Sequence, residues 1–143
     1  VILLKGSADP LNPKVVRAAM GGTFAQPIFA AVEPEQLLAA VSATTSEDLP
    51  IWVADAAGVS YRSINLDAAG PGLLVIGAEV AGVREVLSAA ASVRLSVPQQ
   101  PAQESVNAAI AGSILLAGAF RPPDEPSGPT DPTTLAGIDP NAG

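Results

Sequence analysis

The 143-residue sequence contains no cysteine and no histidine. It therefore has no thiol nucleophile, no disulfide, no imidazole base and none of the usual nitrogen and sulfur ligands of zinc. Any catalysis must depend on Arg, Lys, Asp, Glu, Ser or Tyr side chains, or on the backbone. We expect no metal site.

Aromatic residues and long apolar runs are also scarce. Aromatics make up 3% of the chain although apolar residues make up 48%, so small aliphatic side chains must fill the core. No segment approaches the ~18 consecutive apolar residues of a membrane-spanning helix, and the first residues, V-I-L-L-K-G, do not resemble a signal peptide. These patterns predict a protein with no membrane partner, located in the cytoplasm, or in an organelle matrix if the source is eukaryotic.

Positive charge is in short supply, with 7 Lys and Arg against 14 Asp and Glu. Such a balance ordinarily argues against a nucleic-acid partner, because phosphate binding depends on Lys and Arg. Part of the acidic excess lies in residues 121–143, where four acidic residues and six prolines accompany Arg121 alone. A segment of this composition has little to bury. We predict one domain over residues 1–120, followed by a Pro-rich, acidic, disordered tail over residues 121–143.

Short apolar runs alternate with helix-like segments along the body. The predicted strands cover residues 1–4, 26–30, 50–55, 72–77 and 93–97. The predicted helices cover residues 12–20, 33–43, 81–90 and 104–118. This alternation predicts an α/β fold with a parallel sheet and helices on both faces, whose ligands bind beyond the carboxyl ends of the strands.

Two motifs follow predicted strands. The first is G-x-E-x-x-G, formed by Gly77, Glu79 and Gly82. Alone it is a weak signal, since Gly77 can simply make a turn and Glu79 can cap the next helix. The second leaves the last strand through prolines and amides and places Ser105 and Asn107 in or near the first turn of a helix. Capping by Ser105 is a sufficient explanation of that segment taken alone.

Together these motifs resemble the SpoU (TrmH-type) branch of the SPOUT RNA methyltransferases. The family's second motif is G-x-E-x-x-G, which Gly77, Glu79 and Gly82 match. Its third, I-P-x(6)-S-L-N-x-x-x-A, is matched by Val97, Pro98, Ser105, Val106, Asn107 and Ala111. Upstream of both motifs, the family pattern D-P-x-x-P-K-x-x-R-A-S-x-G is matched by Asp9, Pro10, Pro13, Lys14, Arg17, Ala18 and Gly21. Three blocks in the family's order make the match specific.

The resemblance implies that the chain is the C-terminal part of a catalytic domain with a deep C-terminal trefoil knot. It also implies S-adenosylmethionine as methyl donor, the ribose 2′-hydroxyl of a tRNA or rRNA as acceptor, and a homodimer. The cofactor contacts of the family fall on Gly77, Gly82, Val97, Pro98 and Val106. The catalytic roles fall on Arg17, Glu79, Ser105 and Asn107.

The residue types suit these implied roles. Glycine permits a close backbone approach to a ligand, and Val97 and Val106 offer their main chain without a competing polar side chain. Glu79 can organise the cofactor loop by accepting hydrogen bonds from backbone N–H groups, or it can hold in place an Arg that contacts the RNA. For the dimer, the last helix offers an apolar face over residues 108–116. Small residues on one stripe of I-A-G-S-I-L-L-A-G, residues 110–118, permit close approach of a second helix.

Some family features differ or are missing. The first family motif, N-x-G-x-x-x-R, precedes the strand at residues 1–4 and does not occur in this chain. We interpret the sequence as lacking its natural N-terminal part, or as a lineage that lost it, and do not expect turnover by this chain alone. The family's Met and Gly-Gly after I-P are replaced by Gln99 and Pro101-Ala102. The alternative function is a non-catalytic SPOUT-like module for interaction or ribonucleoprotein assembly.

Other sites fit the residues less well. Gly77 and Gly82 have the spacing of a P-loop without its Lys-Ser/Thr, and the Rossmann pattern lacks its middle glycine. Ser105 has no His base for a hydrolase. Asp55 and Asp67 could form a catalytic pair, but we interpret each as a solvated turn or strand-end residue. The basic residues nearest the predicted loops are Lys14, Arg17, Arg62 and Arg84, of which Arg17 is our first candidate for RNA contact.

Overall fold

The computed structural model describes residues 1–44, 49–65, 70–79, 81–99 and 106–119. The strands are β1 (Ile2–Leu4), β2 (Phe29–Val32), β3 (Ile51–Ser60), β4 (Leu73–Val75) and β5 (Val93–Ser96). The helices are α1 (Pro13–Ala18), α2 (Gly22–Ala25), α3 (Pro34–Thr44), α4 (Glu85–Ala89) and α5 (Ala108–Ala119), with a short 3-10 helix at Tyr61–Ser63. The predicted tail and Ser105 lie outside the described residues.

The described strands form two parallel sheets. β1 pairs with β2, and β3 lies between β4 and β5. The predicted α/β class and parallel pairing are confirmed, with the described strands divided between two ladders. The trefoil knot and the domain boundary at residue 120 stay predictions.

Helices cover both faces of the β3 sheet. Val53 packs in one cluster with Leu37 of α3 and Leu87 of α4. Its neighbour Trp52 packs in a second cluster with Leu115 of α5. Because successive side chains of a strand point to opposite faces, these clusters lie on opposite sides of the sheet. The predicted two-sided coverage is therefore confirmed.

Helix α5 begins at Ala108, four residues after the predicted start. Asn107 is its N-cap, because its side-chain Oδ1 accepts a hydrogen bond from the backbone N–H of Ala109 at 2.9 Å. An N-cap residue has non-helical backbone angles, so the helix cannot extend back through Asn107. Within the described part of the chain, no helix combines the length and apolar character needed to cross a membrane.

The glycines of α5 face the chain's own structure. A Cβ at Gly112 would lie 3.4 Å from Ile76, and a Cβ at Gly118 would lie 2.6 Å from the Tyr61 ring. These small residues therefore let α5 pack closely within one subunit. The expectation that they serve a second helix is wrong for these two positions. The exposed large side chains of α5 are Ile110 and Leu116.

Candidate active site

A tight loop follows the carboxyl end of β4. Ala78 and Gly82 exchange two backbone hydrogen bonds, of 3.0 and 2.8 Å. Gly82 has a φ of +66°, in the left-handed region that favours glycine. A Cβ at Gly77 would lie 2.4 Å from the carbonyl carbon of Gly82. Both glycines are thus required by the loop's own geometry, a reason that the motif alone did not provide.

The two sequence motifs meet at this loop. The side-chain amide of Asn107 donates to Glu79 Oε1 at 3.2 Å, while its other end caps α5. Among the described residues, the partner of Glu79 is thus an amide side chain rather than the expected backbone N–H or Arg. The N-cap of α4 is Arg84, so the interpretation of Glu79 as the cap of the next helix is wrong.

An open cleft lies where the middle of β3, at residues 54–56, and the carboxyl ends of β4 and β5 meet the start of α5. Of the predicted cofactor residues, Gly77, Gly82, Val97 and Val106 line this cleft, and Glu79 lies beside them. The fifth, Pro98, is exposed and does not line the cleft. Its neighbour Gln99 does, so the loop presents an amide where the sequence pointed to the proline.

The charge of this cleft is negative. Among the described residues that line it, the charged side chains are Asp55 and Glu79. Asp55 accepts a backbone hydrogen bond from Ala57 at 2.9 Å and an ion-pair hydrogen bond from Arg94 at 3.1 Å. The Ala57 N–H, and next the Arg94 guanidinium, lower the pKa of the Asp55 carboxyl.

Sequence reasoning assigned Asp55 to strand-end solvation and missed its place in the cleft. The signal was available, because Asp55 ends the predicted strand 50–55 at the edge where parallel sheets bind ligands. What the sequence did not show is that β3 continues to Ser60 and that its residues 54–56 enclose the same space as the carboxyl end of β4.

Arg17 lies apart from the other predicted catalytic residues. It is exposed on the last turn of α1, does not line the cleft, and its side chain has no ion pair within the described residues. The structure thus brings together Glu79 and Asn107, leaves Arg17 on the surface, and does not describe Ser105.

A second cleft lies on the other side of the Gly77–Gly82 loop. Residues 4–8 after β1 line it together with residues 75–78 and 81–84. Lys5 and Arg84 give it positive groups, although Lys5 Nζ lies 2.6 Å from Glu33 Oε1. The Arg84 guanidinium donates to the Lys5 carbonyl and lies 3.9 Å from Glu33 Oε2. The loop therefore separates an anionic cleft from a more cationic one.

Comparison with known proteins identifies relatives for this arrangement. The model of the SpoU rRNA Methylase family matches residues 1–117. A 23S rRNA (uridine(2479)-2′-O)-methyltransferase of Streptomyces viridochromogenes is 29% identical over 123 residues, covering 85% of this chain and 42% of that protein.

Solved structures show the same likeness. The SpoU methyltransferase AviRb from S. viridochromogenes, in complex with the cofactor AdoMet, has a TM-score of 0.75 and 26% identity, covering 82% of this chain and 47% of that one. The AdoMet-bound rRNA methyltransferase from Sinorhizobium meliloti has a TM-score of 0.73 and 34% identity, covering 82% and 44%. The chain thus spans less than half the length of each of these relatives.

Proposed function

The chain belongs to the SpoU rRNA methylase family, and from that membership we propose that it binds S-adenosylmethionine and serves 2′-O-methylation of ribose in RNA, with rRNA as the favoured class. The observation that carries the proposal is the contact between Glu79 and Asn107. It joins the two family motifs at a cleft lined by most of the predicted cofactor residues.

The residues of the cleft fit the proposed cofactor. Small and aliphatic residues such as Val97 and Val106 provide an apolar surface for an adenine ring, and the glycine loop exposes backbone groups. Gln99 adds one polar side chain. When bound, the cofactor supplies an electrophilic methyl group. The chain's own part is to hold that group at the edge of the sheet, with Asn107 keeping the Glu79 carboxylate beside it.

The acceptor RNA is proposed to approach from the second, more cationic cleft, because the two clefts share the Gly77–Gly82 loop as a wall. Arg17 remains our proposed RNA contact. An exposed cation that makes no ion pair within the described residues is available to a phosphate.

Calorimetric titration tests the cofactor proposal. The chain should bind S-adenosylmethionine and S-adenosylhomocysteine, and no heat with either ligand at near-millimolar concentration would favour the non-catalytic interaction module. The reaction is tested with a protein in which this chain follows a segment that carries the N-x-G-x-x-x-R motif, by transfer of a tritiated methyl group to a 23S rRNA transcript and nuclease digestion. The label should appear in a 2′-O-methylated nucleoside, whereas label on a base would contradict the proposed acceptor.

RNA contact is tested at Arg17. The Arg17→Ala variant should bind the same transcript more weakly, with a salt dependence reduced by about one phosphate contact. Arg17→Lys retains the charge and should preserve most of the affinity. Equal affinity and equal salt dependence of wild type and Arg17→Ala would remove Arg17 from the interface.

A homodimer through α5 is proposed as the assembly. Ile110 and Leu116 are more than half exposed on a helix whose one polar residue is Ser113, and a second copy of the helix would cover them. Light scattering at tens of micromolar should give a dimer for the wild type and a monomer for Ile110→Glu/Leu116→Glu. A monomeric wild type would contradict this assembly.

A further inference from the structure

The carboxylate of Asp55 is built into an irregular part of the β3–β5 ladder. Leu95 of β5 is the register partner of both Ala54 and Val59, so residues 55–58 of β3 form an excursion opposite one residue. Gly58 closes the excursion, because a Cβ there would lie 2.5 Å from the Arg94 carbonyl oxygen. Asp55 begins it, at the edge of the anionic cleft.

The orientation of this carboxylate is fixed from two sides. Oδ1 accepts from the backbone N–H of Ala57 and Oδ2 from Arg94, whose other terminal nitrogen donates to the Ser88 carbonyl at 3.4 Å. Each oxygen of an ionised carboxylate accepts about two hydrogen bonds. With one donor to each oxygen among the described residues, both oxygens retain capacity for a further hydrogen bond, and the side chain remains 28% exposed.

The charge balance of the cleft gives this carboxylate a role. Asp55 and Glu79 are the charged groups among the described residues that line it, and neither Lys nor Arg lies among them. Arg94, the partner of Asp55, does not line the cleft. A site with this lining favours a ligand of positive charge.

We propose that Asp55 is a specificity-determining residue that makes the cleft prefer the positively charged methyl donor over its demethylated product. The inference rests on the proposed function. S-adenosylmethionine carries a sulfonium that becomes a neutral thioether when the methyl group leaves, while the ammonium, carboxylate, ribose and adenine are unchanged. A fixed anion beside the ligand stabilises the donor more than the product, which favours donor binding and product release.

The test compares ligands that differ in charge. Calorimetry on wild type and Asp55→Asn would use S-adenosylmethionine, S-adenosylhomocysteine, sinefungin, which has an amine-bearing carbon in place of the sulfonium, and methylthioadenosine, which lacks the amino-acid charges. In Asp55→Asn, the ratio of donor affinity to product affinity should fall about threefold to tenfold. Sinefungin should follow the donor, and methylthioadenosine should change least.

Two further variants separate charge from structure. Asp55→Glu retains the charge and should retain the preference for the donor. Arg94→Gln removes the partner of Asp55 while leaving the carboxylate, so it should not lower the ratio of donor to product affinity. Circular dichroism confirms that each variant is folded.

The outcomes are distinct. If Asp55→Asn weakens all four ligands equally, or changes none of them, the proposal is overturned while cofactor binding by the wild type stands. If Arg94→Gln lowers the affinity ratio as much as Asp55→Asn, the ion pair and not the carboxylate sets the preference, and the proposal is also overturned. If the wild type binds none of the four ligands, the proposed function itself is overturned.

Discussion

The N-terminal region, residues 1–32, and the site region built on β3, β4 and β5 bury very different amounts of apolar surface. The buried core residues are Leu37, Ile51, Trp52, Val53, Val75, Leu87, Leu95 and Leu115, all after residue 32. The exposed large apolar residues include Val1, Ile2, Leu11, Met20, Phe24 and Phe29.

This difference shows where the stability of the fold resides. The site region has apolar clusters on both faces of its sheet, and the loop residues Val83 and Val97 pack against them. The N-terminal region contains its own two-stranded sheet of β1 and β2. It is joined to the rest by Leu4 and Val32, which pack against the cluster around Val53, by the ion pair between Lys5 and Glu33, and by the hydrogen bond that Arg84 donates to the Lys5 carbonyl. Segments with few buried contacts open at lower free energy than the core, so substitutions should have unequal effects in the two regions.

The largest contrast is expected between two Leu→Ala substitutions. Leu87 of α4 is fully buried in the cluster that contains Val53, whereas Leu11 is 66% exposed. Leu87→Ala should lower the free energy of unfolding by about 2–5 kcal/mol, and Leu11→Ala by no more than about 0.5 kcal/mol. Urea unfolding followed by Trp52 fluorescence measures both. Similar losses would show that the N-terminal region is as well packed as the core.

A glycine pair gives the next largest contrast. Gly77→Ala places a Cβ 2.4 Å from the Gly82 backbone, so the loop must shift, whereas a Cβ at Gly22 meets nothing within 4 Å. Gly77→Ala should cost about 1–3 kcal/mol and weaken S-adenosylmethionine binding at least tenfold. Gly22→Ala, at the start of α2, should be neutral or slightly stabilising. Unchanged ligand affinity in Gly77→Ala would separate the loop from the proposed site.

The two Asn caps sharpen the comparison. Asn12 accepts from the Lys14 N–H and Asn107 from the Ala109 N–H, each at 2.9 Å. Either Asn→Ala substitution should cost about 1 kcal/mol through the lost cap. Only Asn107→Ala also removes the donor to Glu79, so only that variant should weaken binding of S-adenosylmethionine. If both variants bind S-adenosylmethionine equally well, the role of Asn107 is limited to capping α5.

The smallest contrast concerns one ion pair from each region. The pKa of Asp55 lies below its ordinary value of 3.8 when the chain is folded, so the folded state binds fewer protons than the unfolded state at acid pH. The resulting stability is present above pH 3.8 and is lost as the pH falls through the folded pKa. Urea unfolding at several pH values should therefore show a shallower acid loss in Asp55→Asn than in wild type.

Its control is the exposed ion pair that Lys5 of the N-terminal region forms with Glu33. Glu33→Gln should change stability at pH 7 by no more than about 1 kcal/mol, because exposed ion pairs contribute little, and added salt should reduce the change further. If the free energy of unfolding of Asp55→Asn falls at acid pH as steeply as that of the wild type, the Asp55 carboxylate does not contribute to the acid dependence of stability.

The sequence by itself determined the class of the fold and the order of its elements. Each strand or helix was predicted from the spacing of apolar residues within its own segment, which does not depend on the rest of the chain. For that reason β1 to β5, α1 and α3 to α5 were all predicted. The family resemblance likewise depends on residues in linear order. Asn107 and Glu79 were singled out because their motifs are short and contiguous.

Only the tertiary structure decided how distant segments share space. It brought Asn107 to Glu79 across 28 positions of sequence, moved the start of α5 to Ala108, turned Gly112 and Gly118 inward, and placed Asp55 in the cleft. None of these follows from local period or composition. Each depends on which strand ends become neighbours, and this is set by the packing of apolar faces formed by residues far apart in the chain.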